Sequence, residues 1–116
     1  MNTQTDRQKP RIVGVKDMLQ HVEDEMKKDE QEIAKRGLVW IDEDKQEYVF
    51  SVFGRTTYEV AFDEVKTIAD LGFVNWHLMG KRWYSAQQMF DFHTLVYNRQ
   101  HRLTNDRLDK LGNAHS

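Results

Sequence analysis

The chain has 116 residues, of which 39% are hydrophobic and 31% are charged, and its formal net charge is −2. This length suits a single domain, and the 13 aromatic residues (6 Phe, 4 Tyr and 3 Trp) exclude a generally disordered chain, because each ring can bury roughly 150–250 Å². The absence of cysteine excludes disulfide frameworks, cysteine-ligated zinc sites and thiol chemistry.

Residues 1–11 are polar, contain the only proline, and are predicted to form a flexible arm. This N-terminal sequence lacks the apolar core of a secretory signal, and no apolar run in the chain approaches the roughly 20 residues of a membrane span. We therefore expect a cytoplasmic protein that has no membrane partner.

A long helix is predicted from Val15 to Arg36, followed by Gly37 at the place of a left-handed C-cap. Apolar residues recur along it every seven positions until Asp29 interrupts the seam. The seam consists of Ile12, Leu19, Met26 and Ile33, with Val15 and Val22 three residues after the first two. Opposite charges lie four residues apart, which favours ion pairs within the helix, at Glu23–Lys27, Asp24–Lys28 and Glu32–Arg36. We expect the seam to cover a sheet, and the helix at 12–33 is also the candidate interface of a homodimer.

Three strands are predicted next, because "LVWID", "EYVFSVF" and "TTYEVAF" are rich in β-branched and aromatic residues. The acidic turn "EDKQ" separates the first two runs. Gly54 and Arg55 separate the last two, which predicts a two-residue hairpin turn. Together these runs predict an antiparallel meander.

Two short elements are predicted between this meander and the C-terminal helix. Asp63 is placed to cap a helix over 64–71, which Gly72 would end. The stretch "FVNWHLMGKRWY" then predicts a second hairpin around Gly80 and Lys81, because apolar residues alternate along it. The alternating residues are Val74, Trp76 and Leu78.

A C-terminal helix is predicted to start at Ser85, because Ser85 and Gln88 form an S-x-x-Q capping box. It should run to about Leu103, and Thr104 should cap a last short helix that Gly112 ends. The expected buried stripe of the main helix is Met89, Phe92, Val96 and Leu103.

These elements predict an α+β fold for one domain over residues 12–112, between the arm and a tail at 113–116. The domain has a long N-terminal helix, an antiparallel sheet and a C-terminal helix packed on that sheet. The sheet has three strands, or five if the second hairpin joins it.

The sequence carries none of the common catalytic or phosphate-binding motifs, neither G-x-S-x-G nor a Walker loop nor G-x-G-x-x-G. His93 and His101 are eight residues apart, about 12 Å along a helix, which is too far for one zinc ion. We therefore expect no metal site, no cofactor and no enzymatic activity. A histidine-dependent nuclease that uses His77 or His93 with Lys81 or Arg82 stays open as an alternative.

A second alternative is nucleic-acid binding, because two cations lie directly beside two aromatic rings at residues 81–84 and more arginines follow. Phosphate contacts and base stacking need this combination. The candidate residues are Lys81, Arg82, Trp83, Arg99 and Arg102. Against it, the pI is near 6.2, and residues 17–47 contain 11 acids and 5 bases, a net charge of −6.

The favoured function is a non-enzymatic binding protein that regulates or inhibits a macromolecular partner, most simply a protein. An acidic helix face can bind a basic partner or mimic nucleic-acid phosphate. The small, cysteine-free, charge-segregated composition resembles that of many phage-encoded accessory and inhibitor proteins. The predicted contact residues are Glu23, Asp24 and Glu30 on the acidic helix, and Lys81, Arg82, Trp83 and Tyr84 at the corner before the last helix.

Overall fold

A computed structural model describes the backbone of residues 15–114 and the side chains of residues 16–108. The elements in chain order are α1 (Val15–Arg36), β1 (Val39–Asp42), β2 (Glu47–Val52), β3 (Thr56–Ala61), a 3-10 helix (Phe62–Val65), α2 (Ile68–Leu78) and α3 (Ala86–Ala114). The predicted α+β arrangement of a long helix, a three-stranded antiparallel sheet and a C-terminal helix is confirmed. The predicted arm at 1–11 lies outside the described residues. Between residues 15 and 114, no helix combines the length and apolar character that a membrane crossing requires.

The sheet has the order β1-β2-β3, and both strand pairs are antiparallel. Tyr48 and Phe50 of the central strand are fully buried. The ring of Phe92 from α3 lies 5.4 Å from the Tyr48 ring and 5.0 Å from the Phe50 ring, in edge-on contact. The core of the molecule is therefore the layer between β2 and the first half of α3.

The turn between β2 and β3 is centred one residue earlier than predicted. Phe53 and Gly54 have φ values of 56° and 69°, and the Arg55 N–H donates to the Val52 carbonyl at 3.1 Å. Two successive positive φ angles are the mark of a type I′ turn. The prediction of Gly54 and Arg55 as the central pair is wrong, because glycine takes the second central position and phenylalanine the first.

Only the C-terminal half of α1 buries its apolar residues against the rest of the domain. Met26 and Ile33 are buried, whereas Leu19 and Val22 are exposed. Gly37 has a φ of 63° and its N–H donates to the Ile33 carbonyl at 3.2 Å, which confirms the predicted left-handed cap.

None of the three predicted ion pairs within α1 forms in this described helix. Glu23 instead accepts hydrogen bonds from Arg102 of α3 at 2.8 and 3.1 Å. Arg36 donates to both carboxylate oxygens of Asp91, also on α3, at 2.6 and 3.0 Å. Contacts to α3 prevail because a guanidinium that reaches a carboxylate through two N–H groups binds more strongly than an exposed pair on one helix.

Residues 68–78 form the helix α2, so the predicted second hairpin, with its fourth and fifth strands, is wrong. Thr67 begins this helix through a capping box: its hydroxyl accepts from the Asp70 N–H at 3.1 Å, and the Asp70 carboxylate accepts from the Thr67 N–H at 3.2 Å. Alternation misled the prediction because α2 is apolar on most of its faces, so that both a two-residue and a helical period fit its sequence.

The short helix predicted over 64–71 is also wrong. A 3-10 turn occupies 62–65, where Asp63 makes no capping bond, and α2 begins three residues later. Gly72 lies inside α2 rather than at its end, because a glycine weakens a helix without stopping it.

α3 begins as predicted, with a capping box at Ser85 and Gln88. The Ser85 hydroxyl accepts from the Gln88 N–H at 3.1 Å, and the Gln88 side-chain oxygen accepts from the Ser85 N–H at 2.9 Å. Its predicted end near Leu103 is wrong, since the helix continues without a break through Thr104 and Gly112. Of the expected stripe, Phe92 and Val96 are buried, Met89 is half-buried and Leu103 is exposed.

Candidate functional site

The outward side of α2 is apolar and exposed. Ile68, Phe73, Trp76 and Met79 have 61–74% of their surface open to solvent, and Ala69 and Gly72 lie exposed between them. At 100° per residue, these six positions fall within an arc of about 140°. We call the six residues the α2 face, and none of them is charged.

A groove of about 470 Å³ lies between β3 and α2, beside the α2 face. Its apolar lining comes from both elements, and Phe73 belongs to the groove and to the α2 face. The apolar lining residues are Tyr58, Val60, Phe73, Val74 and Leu78, and the polar ones are Asp63, Glu64, Asp70 and His77. We call this site the β3–α2 groove.

The three carboxylates of the β3–α2 groove differ in what they contact. Asp70 is used in the capping box of α2 and also accepts from the Lys66 N–H at 3.2 Å. Asp63 has Lys66 Nζ at 3.9 Å, but both side chains are well exposed, so this pair is weak. Glu64 is exposed and pairs with no cation among the residues whose side chains are described.

The predicted contact residues at 81–84 lie at the corner between α2 and α3, and most of them contact the core. Trp83 is half-buried, with its ring 5.6 Å from that of Phe50 and 5.4 Å from that of Tyr58. The Tyr84 hydroxyl donates to Asn75 at 2.7 Å, and Lys81 lies 4.9 Å above the Tyr58 ring. Packing within the domain therefore accounts for the two rings of this corner, while Arg82 stays exposed.

The predicted contact residues on α1 divide in the same way. Glu23 and Glu30 both accept hydrogen bonds from Arg102, with Glu30 at 2.7 and 3.1 Å, and those bonds hold the pKa of Glu23 below its ordinary value. Asp24 is exposed and accepts from Gln20 at 2.9 Å on the same helix. Two of the three carboxylates thus join α1 to α3, and their role in partner binding stays a prediction.

Two of the arginines predicted for nucleic-acid binding, Arg99 and Arg102, also make contacts within the domain. Arg102 is held between two glutamates, and the Arg99 guanidinium lies 3.9 Å from the centre of the Phe62 ring, a cation–π contact. Base stacking on Trp83 would use a ring that already packs on Phe50. These contacts leave the nucleic-acid alternative untested, without adding support to it.

The homodimer predicted through the helix at 12–33 also stays a prediction. Met18, Leu19 and Val22 are exposed at the outer part of α1, beyond the half that covers the sheet. A cleft of about 880 Å³ separates this part from the outer part of α3, and Leu19 and Leu108 line it.

The histidines of the described part of the chain differ in their surroundings, and the nuclease alternative that uses His77 or His93 stays a prediction. Among its side chains, no group of three or more His, Asp or Glu residues is arranged to hold a metal ion. His77 is exposed beside the groove, whereas His93 is half-buried and burial lowers the pKa of its ring. Burial likewise raises the pKa of Tyr48 to about 12 and raises that of Tyr84. The cause in each case is chiefly loss of water rather than a charged partner, as is usual for groups packed in a core.

Sequence reasoning missed the α2 face and the β3–α2 groove as candidate sites. One signal was present: no Asp, Glu, Lys or Arg occurs between Leu71 and Gly80. The strand prediction concealed this signal, because the apolar residues of a strand are expected to pack against a second layer. The segment is a helix, and its outward apolar residues face solvent.

Comparisons of this chain with protein-family models, with curated proteins and with solved structures found no match. The functional proposal therefore rests on the geometry of the described residues.

Proposed function

We propose that this chain is a non-enzymatic binding protein that regulates or inhibits a macromolecular partner, and that it binds this partner, a protein, through the α2 face. The observation that carries the proposal is the exposure of Phe73 and Trp76 on neighbouring turns of one helix, with Met79 exposed at the C-cap of that helix. One side of α2 meets the core, and large apolar side chains on its second, outward side are ordinarily covered by another element.

Physical arguments support a protein as the partner. Single exposed apolar residues are normal, but a contiguous exposed patch of large apolar side chains marks an interaction surface. Aromatic residues and methionine are enriched in protein–protein interfaces, and tryptophan is prominent among the residues that contribute most binding free energy. Burying the α2 face against a partner would contribute roughly 25 cal/mol of favourable binding free energy per Å² of apolar surface removed from water.

Site-specific photo-cross-linking in an extract of the native host tests the proposal. A photoreactive phenylalanine analogue is placed at Phe73, at Trp76 and, as a matched control, at Phe90, which is 64% exposed on α3 and does not line the β3–α2 groove. We expect a discrete protein adduct from positions 73 and 76 but not from 90.

The captured protein is then purified and titrated against the unmodified chain and against Trp76→Ser and Phe90→Ser. Loss of binding with Trp76→Ser alone supports the proposal. Equal adducts at all three positions, no adduct at 73 and 76, or unchanged binding by Trp76→Ser would contradict it. An oligonucleotide that binds at low salt and depends on Lys81 and Arg82 would favour the nucleic-acid alternative instead.

A further inference from the structure

We infer that the partner presents a basic amphipathic segment, whose apolar side chains pack on the α2 face and enter the β3–α2 groove while its Lys or Arg residues pair with Asp63 and Glu64. This inference rests on the proposed function, because it names the chemistry of the segment that the α2 face would bind.

The first argument is the shape and polarity of the β3–α2 groove. Its volume of about 470 Å³ lies within the range of about 300–1,000 Å³ that is typical of binding pockets. Its apolar wall continues onto the exposed α2 face through Phe73, which belongs to both. A short segment can therefore place one or two side chains in the groove while the rest of its apolar side covers Trp76.

The second argument is the sign of the charge around the groove. Among the described side chains, its lining includes three carboxylates and no lysine or arginine, and Lys81 is held over the ring of Tyr58 at 4.9 Å. Asp70 is held by the backbone of residues 66 and 67, and the pair between Lys66 and Asp63 at 3.9 Å is exposed and weak, so the carboxylates that a partner can contact are those of Asp63 and Glu64. A cationic group arriving beside them gains attraction, and an anionic group meets repulsion.

The third argument concerns the other possible occupants. Nucleic-acid phosphates and anionic lipid headgroups would be repelled by Asp63 and Glu64, although a membrane interface would accept Phe73 and Trp76. A second copy of the chain that packs its own α2 face on this one would cover the apolar surface, but the six residues of that face include no lysine or arginine to pair with Asp63 and Glu64. A basic segment of another protein satisfies the apolar surface and the carboxylates together.

Three labelled peptides of about 14 residues test the inference, all with the same Leu and Phe residues at helical i, i+3, i+4, i+7 spacing. Their polar positions carry lysine, glutamine or glutamate. Fluorescence anisotropy is measured with the full chain at about 50 mM and about 300 mM salt, since screening weakens exposed charge pairs. We expect the lysine peptide to bind about tenfold more tightly than the glutamine peptide at low salt, with no detectable binding of the glutamate peptide.

Two variants separate the charge contribution from the apolar contribution. Asp63→Asn combined with Glu64→Gln should reduce the affinity for the lysine peptide to that for the glutamine peptide, without changing the latter. Phe73→Ser combined with Trp76→Ser should abolish binding of both peptides, whereas Phe90→Ser should leave both unchanged. Because all these residues are exposed, circular dichroism and thermal unfolding should match the unmodified chain.

The outcomes distinguish this inference from the proposed function. If all three peptides bind equally and this binding requires Phe73 and Trp76, the α2 face is a docking surface, but the inference that the partner segment is basic is wrong. Lysine-peptide binding that survives Phe73→Ser with Trp76→Ser would show unspecific charge attraction and overturn the inference. Binding of none would overturn it as well, while the cross-linking experiment decides the proposed function by itself. If light scattering shows a dimer that Trp76→Ser abolishes, the occupant of the α2 face is a second copy of the chain. If the chain binds phosphatidylcholine and phosphatidylserine vesicles but not the lysine peptide, the occupant is a membrane surface.

Discussion

Gln88 combines two roles in one buried side chain. Its oxygen accepts from the Ser85 N–H, and its amide nitrogen donates to the Ser51 carbonyl at 2.8 Å and to the Leu38 carbonyl at 3.4 Å. The capping role was predicted from the S-x-x-Q spacing. The bonds to the sheet could not be, because Ser51 and Leu38 are 37 and 50 residues away in the chain.

Gln88→Ala should lower the free energy of unfolding by roughly 2–4 kcal/mol, whereas Ser85→Ala should lower it by about 1 kcal/mol. The glutamine substitution removes the cap and also leaves the Ser51 carbonyl without its donor. Urea unfolding measures both values. Gln88→Glu is the matched control: it can still accept from Ser85 but cannot donate to Ser51, so a loss as small as that of Ser85→Ala would contradict the second role.

His93 is a titratable residue whose buried Nε2 atom has no hydrogen-bond partner among the residues that the structure describes. Burial lowers the pKa of its ring below the ordinary value of 6.5. Between that value and the lower folded-state pKa, the unfolded chain binds more protons than the folded chain does. The stability should therefore be full above pH 6.5 and fall as the pH decreases below it.

We expect His93→Phe to flatten this dependence between about pH 7 and the folded-state pKa of the ring. The free energy of unfolding, measured by urea titration at half-unit pH steps, provides the comparison. His93→Gln should flatten the profile equally, because it also cannot gain a proton in this range. A slope unchanged in both variants would show that another group is responsible.

At the scale of elements, the two helices after the sheet differ in how far their sequences determine them. α3 has a capping box at its start and a buried stripe at helical spacing, and both were recognised in part. α2 begins with an equally good capping box, Thr67-x-x-Asp70, but Asp63 and Gly72 also match the residue types that begin and end helices, and they predict different bounds. The hydrogen bonds of this capping box fix where α2 begins. Because several faces of α2 are apolar, the helical period of its hydrophobic residues is hard to recognise in the sequence.

Gly72→Ala should raise the free energy of unfolding by about 0.5–1 kcal/mol, because alanine is the better helix former and a Cβ there meets no atom within 4 Å. Gly37→Ala should lower it by roughly 1–2 kcal/mol, because Gly37 has a φ of +63°. Thermal unfolding of the two variants side by side measures the contrast. A loss of stability in Gly72→Ala would show that the α2 face is packed against something in the free protein.

At the scale of the whole molecule, the uneven charge of the sequence becomes a contact between its two long helices. Arg102 of α3 donates four hydrogen bonds to Glu23 and Glu30 of α1, and Asn98 donates a further one to Glu30 at 3.0 Å. The partial exposure of these side chains limits what each bond contributes. Their combined effect is to keep the outer part of α1 beside α3, where few apolar residues are buried.

Arg102→Met should lower the free energy of unfolding at pH 7 by about 1 kcal/mol and reduce its acid dependence. The lowered pKa of Glu23 means that its contribution is present above about pH 4.5 and is lost as the pH falls through the folded-state value. Urea unfolding between pH 3 and 7 tests this. In Arg102→Met, amide hydrogen exchange should become faster in residues 16–26 but not in β2. Unchanged exchange in residues 16–26 would contradict the role of Arg102 in holding this part of α1 beside α3.

The sequence by itself determined the first helix and its glycine cap, the three-stranded meander and the start of the last helix. Each depends on residues within about four positions of one another: a capping pair, a turn glycine, an alternating strand. Only the tertiary structure decided which polar residues were used internally. The sequence predicts Glu23 and Glu30 as contact residues, although each pairs with Arg102, more than 70 residues away. It leaves open whether Trp83 and Tyr84 lie in the core or at the surface, and their packing on Phe50 decides this.

The same reason explains the α2 face. Whether an apolar residue is buried depends on what lies opposite, and this is set by elements far away in the chain. In the predicted hairpin, Trp76 would have shared one face with Val74 and Leu78. On α2, Phe73 and Trp76 face solvent instead, because Leu71 and Leu78 already fill the side that meets the core. Local sequence determined the hydrophobicity of this segment, and long-range packing determined that it was left open.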